Sequence, residues 1–116
     1  MPYTARMSWH RIASIQDVAP GESKCFEVQG KELTLVHNES GVWCIDFRCP
    51  HTGGPLGSGD FDAEVLTCPV HKWKFRLDDG THNRRNVDCK PAGVYQLKVE
   101  GDALMVRLDE PSRASA

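Results

Sequence analysis

At 116 residues, with fourteen Lys and Arg against sixteen Asp and Glu, the chain is the size of one domain and carries a formal net charge of −2. That balance excludes a general attraction to nucleic acid, and the lack of any apolar run of about eighteen residues excludes a membrane span. The opening segment, Met1-Pro2-Tyr3-Thr4-Ala5-Arg6-Met7, lacks the apolar stretch of a secretory leader, so the expected compartment is the cytoplasm.

Short β-like runs divided by turn signals fill the sequence, and no stretch holds a helical period. Residues 8–12 read as a first strand, followed by a loop through Ile15, Asp17 and Pro20-Gly21. Strands 22–28 and 32–37 are joined by Gln29-Gly30-Lys31, and Asn38-Glu39-Ser40-Gly41 turns the chain into 42–47. Trp43, Ile45 and Phe47 alternate there with Val42, Cys44 and Asp46, so each set takes its own face. A Gly/Pro-rich stretch follows, and a short strand at 64–67 brings the chain to Cys68. The run 74–77 is a strand that stops at Asp78-Asp79-Gly80, and 82–90 reads as surface loop. Residues 94–100 and 103–108 close the chain as a hairpin through Gly101-Asp102, leaving 111–116 as a frayed polar tail.

Two motifs carry the chemistry. Cys49-Pro50-His51 runs into Thr52-Gly53-Gly54-Pro55-Leu56, and after sixteen residues Cys68-Pro69-Val70-His71 runs into Lys72-Trp73-Lys74-Phe75. Each half offers one thiolate and one imidazole, the demand of a 2Fe–2S centre in which two histidines replace two cysteines on one iron. Two ferric ions, two sulfides and two thiolates cancel, so such a cluster is neutral when oxidised and accepts an electron more readily than a four-thiolate one. Gly53 and Gly54 let backbone N–H groups approach the sulfurs, and Pro50, Pro55 and Pro69 stiffen the loops. Structural zinc is the rival for a Cys2His2 set, but zinc sites commonly pair Cys with Cys and His with His.

These motifs resemble the two cluster loops of soluble Rieske ferredoxins, and the likeness extends over about residues 8–109. Pro91-Ala92-Gly93 matches the family's third, proline-bearing loop. The resemblance implies that Cys49 and Cys68 bind one iron and His51 and His71 the other. It implies an all-β fold, an antiparallel sandwich or barrel-like base with an inserted cluster-binding subdomain. The division it suggests is a tail at 1–7, a domain at 8–110 with cluster loops near 48–57, 68–75 and 90–93, and a tail at 111–116. High-potential respiratory relatives carry an extra cysteine in each loop, joined as a disulfide; Gly54 and Val70 stand at those places here. Trp73 and Phe75 stand where those relatives place a serine and a tyrosine, so the chain resembles the low-potential soluble type. Both rings are expected to pack beneath the second loop.

Cys25, Cys44 and Cys89 show no metal or disulfide spacing and are expected as buried free thiols, Cys44 being the foremost candidate for burial. His10, His37 and His82 lack partners in the pattern and are read as structural. Lys72, Lys74, Arg76, Arg84, Arg85 and Lys90 cluster after the second motif, either as a solvated loop or as a docking surface for an acidic redox partner. The chain is too short to hold an oxygenase or flavin domain as well. The leading expectation is a monomeric one-electron carrier, not an enzyme, between a flavin-dependent reductase and a terminal oxygenase or similar acceptor. The small subunit of an assimilatory nitrite reductase, a stand-alone Rieske protein and a redox sensor need the same cluster.

Overall fold

The computed structural model describes residues 7–84 and 89–109. Nine strands occur among them: β1 (Met7–Ser14), β2 (Ser23–Val28), β3 (Lys31–Asn38), β4 (Gly41–Asp46), β5 (Val65–Thr67), β6 (Lys74–Arg76), β7 (Val94–Tyr95), β8 (Leu97–Glu100) and β9 (Ala103–Asp109). They form three antiparallel sheets, in the orders β1-β9-β8, β2-β3-β4-β7 and β5-β6. The all-β architecture, with a small two-stranded unit inserted between β4 and β7, is the one expected.

Three local readings need correction. The pattern at 94–100 is not one strand: the chain leaves β7, paired with Cys44 and Ile45 of β4, and enters β8, paired with β9. Gln96 is the point of transfer, its carbonyl accepting from Arg107 N–H at 3.0 Å. Apolar alternation continues across it, so a change of partner sheet leaves no mark in the sequence. β1 runs to Ser14 because its register shifts between Arg11 and Ala13, which lets the consecutive residues Ile12 and Ala13 both be buried. Single 3-10 turns stand at Ile15–Asp17 and Leu56–Ser58, where loop alone was expected. The expected tails lie outside the described residues, apart from Met7, which begins β1.

The middle sheet divides two cores. Leu33 and Leu35 of β3 and Cys44 of β4 face a sandwich core with Ile12, Val28, Leu104, Val106 and Leu108. From the opposite faces of the same strands, Val36 and Ile45 enter a second core with Leu56, Leu66, Phe75 and Leu77. The register agrees, since Leu35 pairs with Cys44 while Thr34 pairs with Ile45. β3 therefore reads as an unbroken buried run, Leu33 to Val36, because both of its faces are covered. The buried thiol of Cys44 belongs to the sandwich, and burial pushes its pKa up to about 12.

The third loop docks against the turn after β6. Ala92 N–H donates to Gly80 O at 2.9 Å, and Gly80 N–H to Arg76 O at 2.8 Å. Gly80 has φ 79°, and a Cβ built there would stand 1.9 Å from Ala92 O. Gly80→Ala is therefore expected to cost about 3 kcal/mol, combining a left-handed φ with a collision against backbone. Urea unfolding checks it, and an unchanged midpoint would show that the third loop is not anchored at this turn.

Candidate metal centre

Two loops of matching hydrogen-bond pattern build the centre. In the first, Cys49 N–H donates to Gly54 O at 2.9 Å and Gly53 N–H to Cys49 O at 2.7 Å. In the second, Cys68 N–H donates to Trp73 O at 2.8 Å and Lys72 N–H to Cys68 O at 2.9 Å. Each loop is thus closed from its cysteine to the residues four and five positions on. The fourth position is left-handed in both, Gly53 at φ 75° and Lys72 at φ 63°. A lysine there is strained by about 1 kcal/mol relative to glycine. Lys72→Gly is expected to raise stability by about that amount in thermal unfolding; a loss would mean that the side chain makes a compensating contact.

The four motif residues separate by depth. Cys49 and Cys68 are each only 1% exposed, at the feet of the loops and within the second core. His51 and His71 are exposed at the tips, with ring centroids 5.4 Å apart. Among the described residues, no three His, Cys, Asp or Glu side chains converge as one metal ion would require. A two-iron cluster asks each iron for two protein side chains, and a pair of inner thiols with a pair of outer imidazoles suits that demand better than it suits tetrahedral zinc.

An aromatic layer supports the loops. Trp73 is buried and stacks on the ring of His51, with centroids 3.7 Å apart and planes 11° apart. Phe75 is wholly buried, as expected beneath the second loop. His82 lies 5.0 Å from Trp73 and packs edge-on to Phe75. Its Nε2 lies 2.9 Å from Cys89 O, and its Nδ1 accepts from Arg84 N–H at 3.3 Å, which fixes the ring. Arg84 places its guanidinium over Trp73 at 5.6 Å and donates to His71 O at 3.4 Å. The described part of 82–90 is the expected surface loop at Asn83, Arg84 and Lys90, and through His82 and Arg84 it also braces the second loop; Arg85 and Asp88 lie outside the described residues. Asp46 performs a similar service for the third loop. Its carboxylate accepts from Gly93 N–H at 2.9 Å and Tyr95 O–H at 2.5 Å, while Asp46 N–H donates to Gly93 O.

The other cysteines divide differently from the expectation. Cys44 is buried and Cys89 half-buried, but Cys25 is exposed. It lies on β2 opposite Thr34, at the sheet's edge, while Phe26 packs against the sandwich core and Val28 is buried in it. The basic cluster is also thinner than its residue count, because Arg76 is paired with Asp78 at 2.6 Å and lies 3.8 Å from Asp79.

Residues 8–96 match the Rieske [2Fe-2S] domain. The chain belongs to the Rieske family. The ferredoxin component of biphenyl 2,3-dioxygenase from Rhodococcus jostii is 33% identical over 104 residues, covering 89% of this Rieske chain and 95% of that protein. The solved ferredoxin of carbazole 1,9a-dioxygenase from Nocardioides aromaticivorans IC177 superposes with a TM-score of 0.75 at 28% identity, covering 85% of this chain and 96% of that one. A 35% identical match to the cholesterol 7-desaturase nvd of Drosophila melanogaster spans 62% of this chain but only 17% of that much longer protein. One 2Fe–2S cluster is the cofactor of this Rieske domain. Among the described residues no helix is long and apolar enough to cross a membrane.

Proposed function

We propose that the protein is a one-electron carrier, taking electrons from a flavin-dependent reductase and passing them to a terminal oxygenase or similar acceptor. The observation that carries this reading is the pair of exposed imidazoles, 5.4 Å apart, standing over two buried thiols. It is supported by relatives of nearly the same length that are ferredoxin components, with 95% of one and 96% of another covered. Cys49 and Cys68 would hold one iron and His51 and His71 the other, within a domain spanning 8–110. The cluster supplies one-electron exchange. The protein's own residues do the rest: the core around Cys49 and Cys68 excludes water from the thiolates, and the tips leave the imidazoles within reach of a partner. Trp73 sets the plane of the His51 ring, and Arg84 steadies the backbone of His71. The cytoplasm and a monomeric state complete the proposal.

The test begins with anaerobically purified protein, which should be red-brown, with about two irons and two labile sulfides per chain and reversible uptake of one electron. Colourless protein with stoichiometric zinc would overturn the reading. Partner affinity separates a carrier from a redox sensor: a carrier binds weakly in both oxidation states, whereas a sensor's affinity changes with reduction.

A further inference from the structure

We infer that the exposed redox end is a basic rim built to meet a protein whose electron port is ringed by carboxylates; the inference deepens the carrier reading and rests on it. The chain's net charge is negative, yet its charge is unevenly placed. Residues 49–57, 68–75 and 89–93 contain Lys72, Lys74 and Lys90 and not one of the sixteen carboxylate side chains. Arg84 joins them, held against Trp73 and the carbonyl of His71. Lys90 follows Cys89, whose carbonyl is bound by His82, so it belongs to the same brace. Among the described residues Asp60, exposed beside the entry to the second loop, is the one neighbouring carboxylate left to oppose the rim, and the others are engaged. Asp78 and Asp79 pair with Arg76, and Glu32 pairs with Arg48 at 2.9 Å. Asp62 is held low chiefly by the backbone N–H groups of Glu64 and Val65, and it offsets Lys74. Lys72, Arg84 and Lys90 therefore carry the rim.

Two further features fit an interface. Val70, 46% exposed, precedes His71 in the second loop and faces Gly54 of the first, giving an apolar point among the charged residues. Lys72 keeps its charge at a left-handed backbone position that glycine fills in the other loop, so strain is retained where the charge is displayed. A field of this kind raises the rate of encounter with an acidic surface more than it raises affinity.

Small inorganic oxidants read the local field without any knowledge of the partner. One electron leaves the reduced protein for each oxidant, with no bond made and no proton moved. Ferricyanide, an anion, should oxidise the reduced holoprotein more slowly as salt is raised from about 10 mM to 300 mM, falling roughly ten-fold. Tris(phenanthroline)cobalt(III), a cation, should speed up over the same range. Lys72→Glu and Lys90→Glu, each checked for an intact visible spectrum, should lower the low-salt ferricyanide rate several-fold. Lys98→Glu, on β8 of the sandwich, should leave it within about two-fold. If the cationic reagent is the one slowed by salt, the net charge governs and the rim is wrong, while the carrier reading survives. A protein that takes up no electron overturns both. Co-sedimentation with phosphatidylserine-containing vesicles at 0.15 M salt, lost in Lys72→Glu, would give the rim to a membrane and overturn the protein partner.

Discussion

Serine at position 49 or 68 is expected to leave a colourless protein, with iron and labile sulfide falling to near zero. Each thiol sits at the foot of its loop, 1% exposed, and its own backbone N–H and carbonyl close that loop. A serine hydroxyl is not ionised near neutrality and is a poor ligand for ferric iron, so the neutral charge balance of the cluster is lost. No other thiol is well placed to substitute. Cys25 is exposed on β2, and Cys44 lies in the sandwich core with its pKa pushed up to about 12. Cys89 packs against the same core as the two loop cysteines, and so it is the informative control. Cys25, Cys44 and Cys89 replaced singly by alanine should keep the visible spectrum; loss of colour in Cys89→Ala would move the ligand assignment to that residue.

A second large effect is expected from Gly54→Cys combined with Val70→Cys. A Cβ built on Gly54 would stand 3.9 Å from Val70 Cβ, within the roughly 3.5–4.5 Å span of disulfide geometry. The two positions therefore face each other, and the new thiols should join under mild oxidation. The bridge would close a loop of roughly 17 residues, worth about 3 kcal/mol to the apoprotein. At about 4–8 °C per kcal/mol, the oxidised apoprotein should melt about 12–24 °C above its reduced form. Holoprotein should gain less if the cluster takes its ligands from both loops as proposed, since it would already tie them. Thiol counting and paired melts decide the matter, and two free thiols after oxidation would show that the loops do not meet as described. Gly54→Ala alone is the contrasting case, since its methyl would press to 2.7 Å from a Val70 methyl without forming a bond.

The sequence made the centre legible because ligand chemistry dictates residue type, spacing and the glycines around them. Strand positions followed for a similar reason: β3 and β4 alternate apolar residues between two covered faces, and the turns between them carry their usual residues. Cys25 could have been placed correctly, since Phe26 and Val28 already mark the inward face and leave Cys25 with Ser23 and Glu27. The transfer at Gln96 could not, because both sheets ask for the same alternation. His82 was also out of reach. Its partners are a backbone carbonyl, a backbone amide and two rings, and none of these leaves a pattern around an isolated histidine. The stack of Trp73 on His51 depends on how two loops approach in space, which residue spacing does not encode.

The division of the interior by β3 and β4 bears on how the protein acquires its cofactor. The sandwich core draws on β1, β2, β8 and β9 with one face of β3 and β4 and contains no residue of either Cys-His loop, so it is expected to form without iron. The second core includes Cys49 and Cys68 themselves, so its cohesion changes when the cluster arrives. Such a molecule can be made, released from the ribosome and protected from proteolysis as a folded sandwich bearing an open receptor. Loading then asks the assembly machinery to open only the smaller unit. Maturation becomes a local closing of two loops on a finished scaffold rather than a second act of folding.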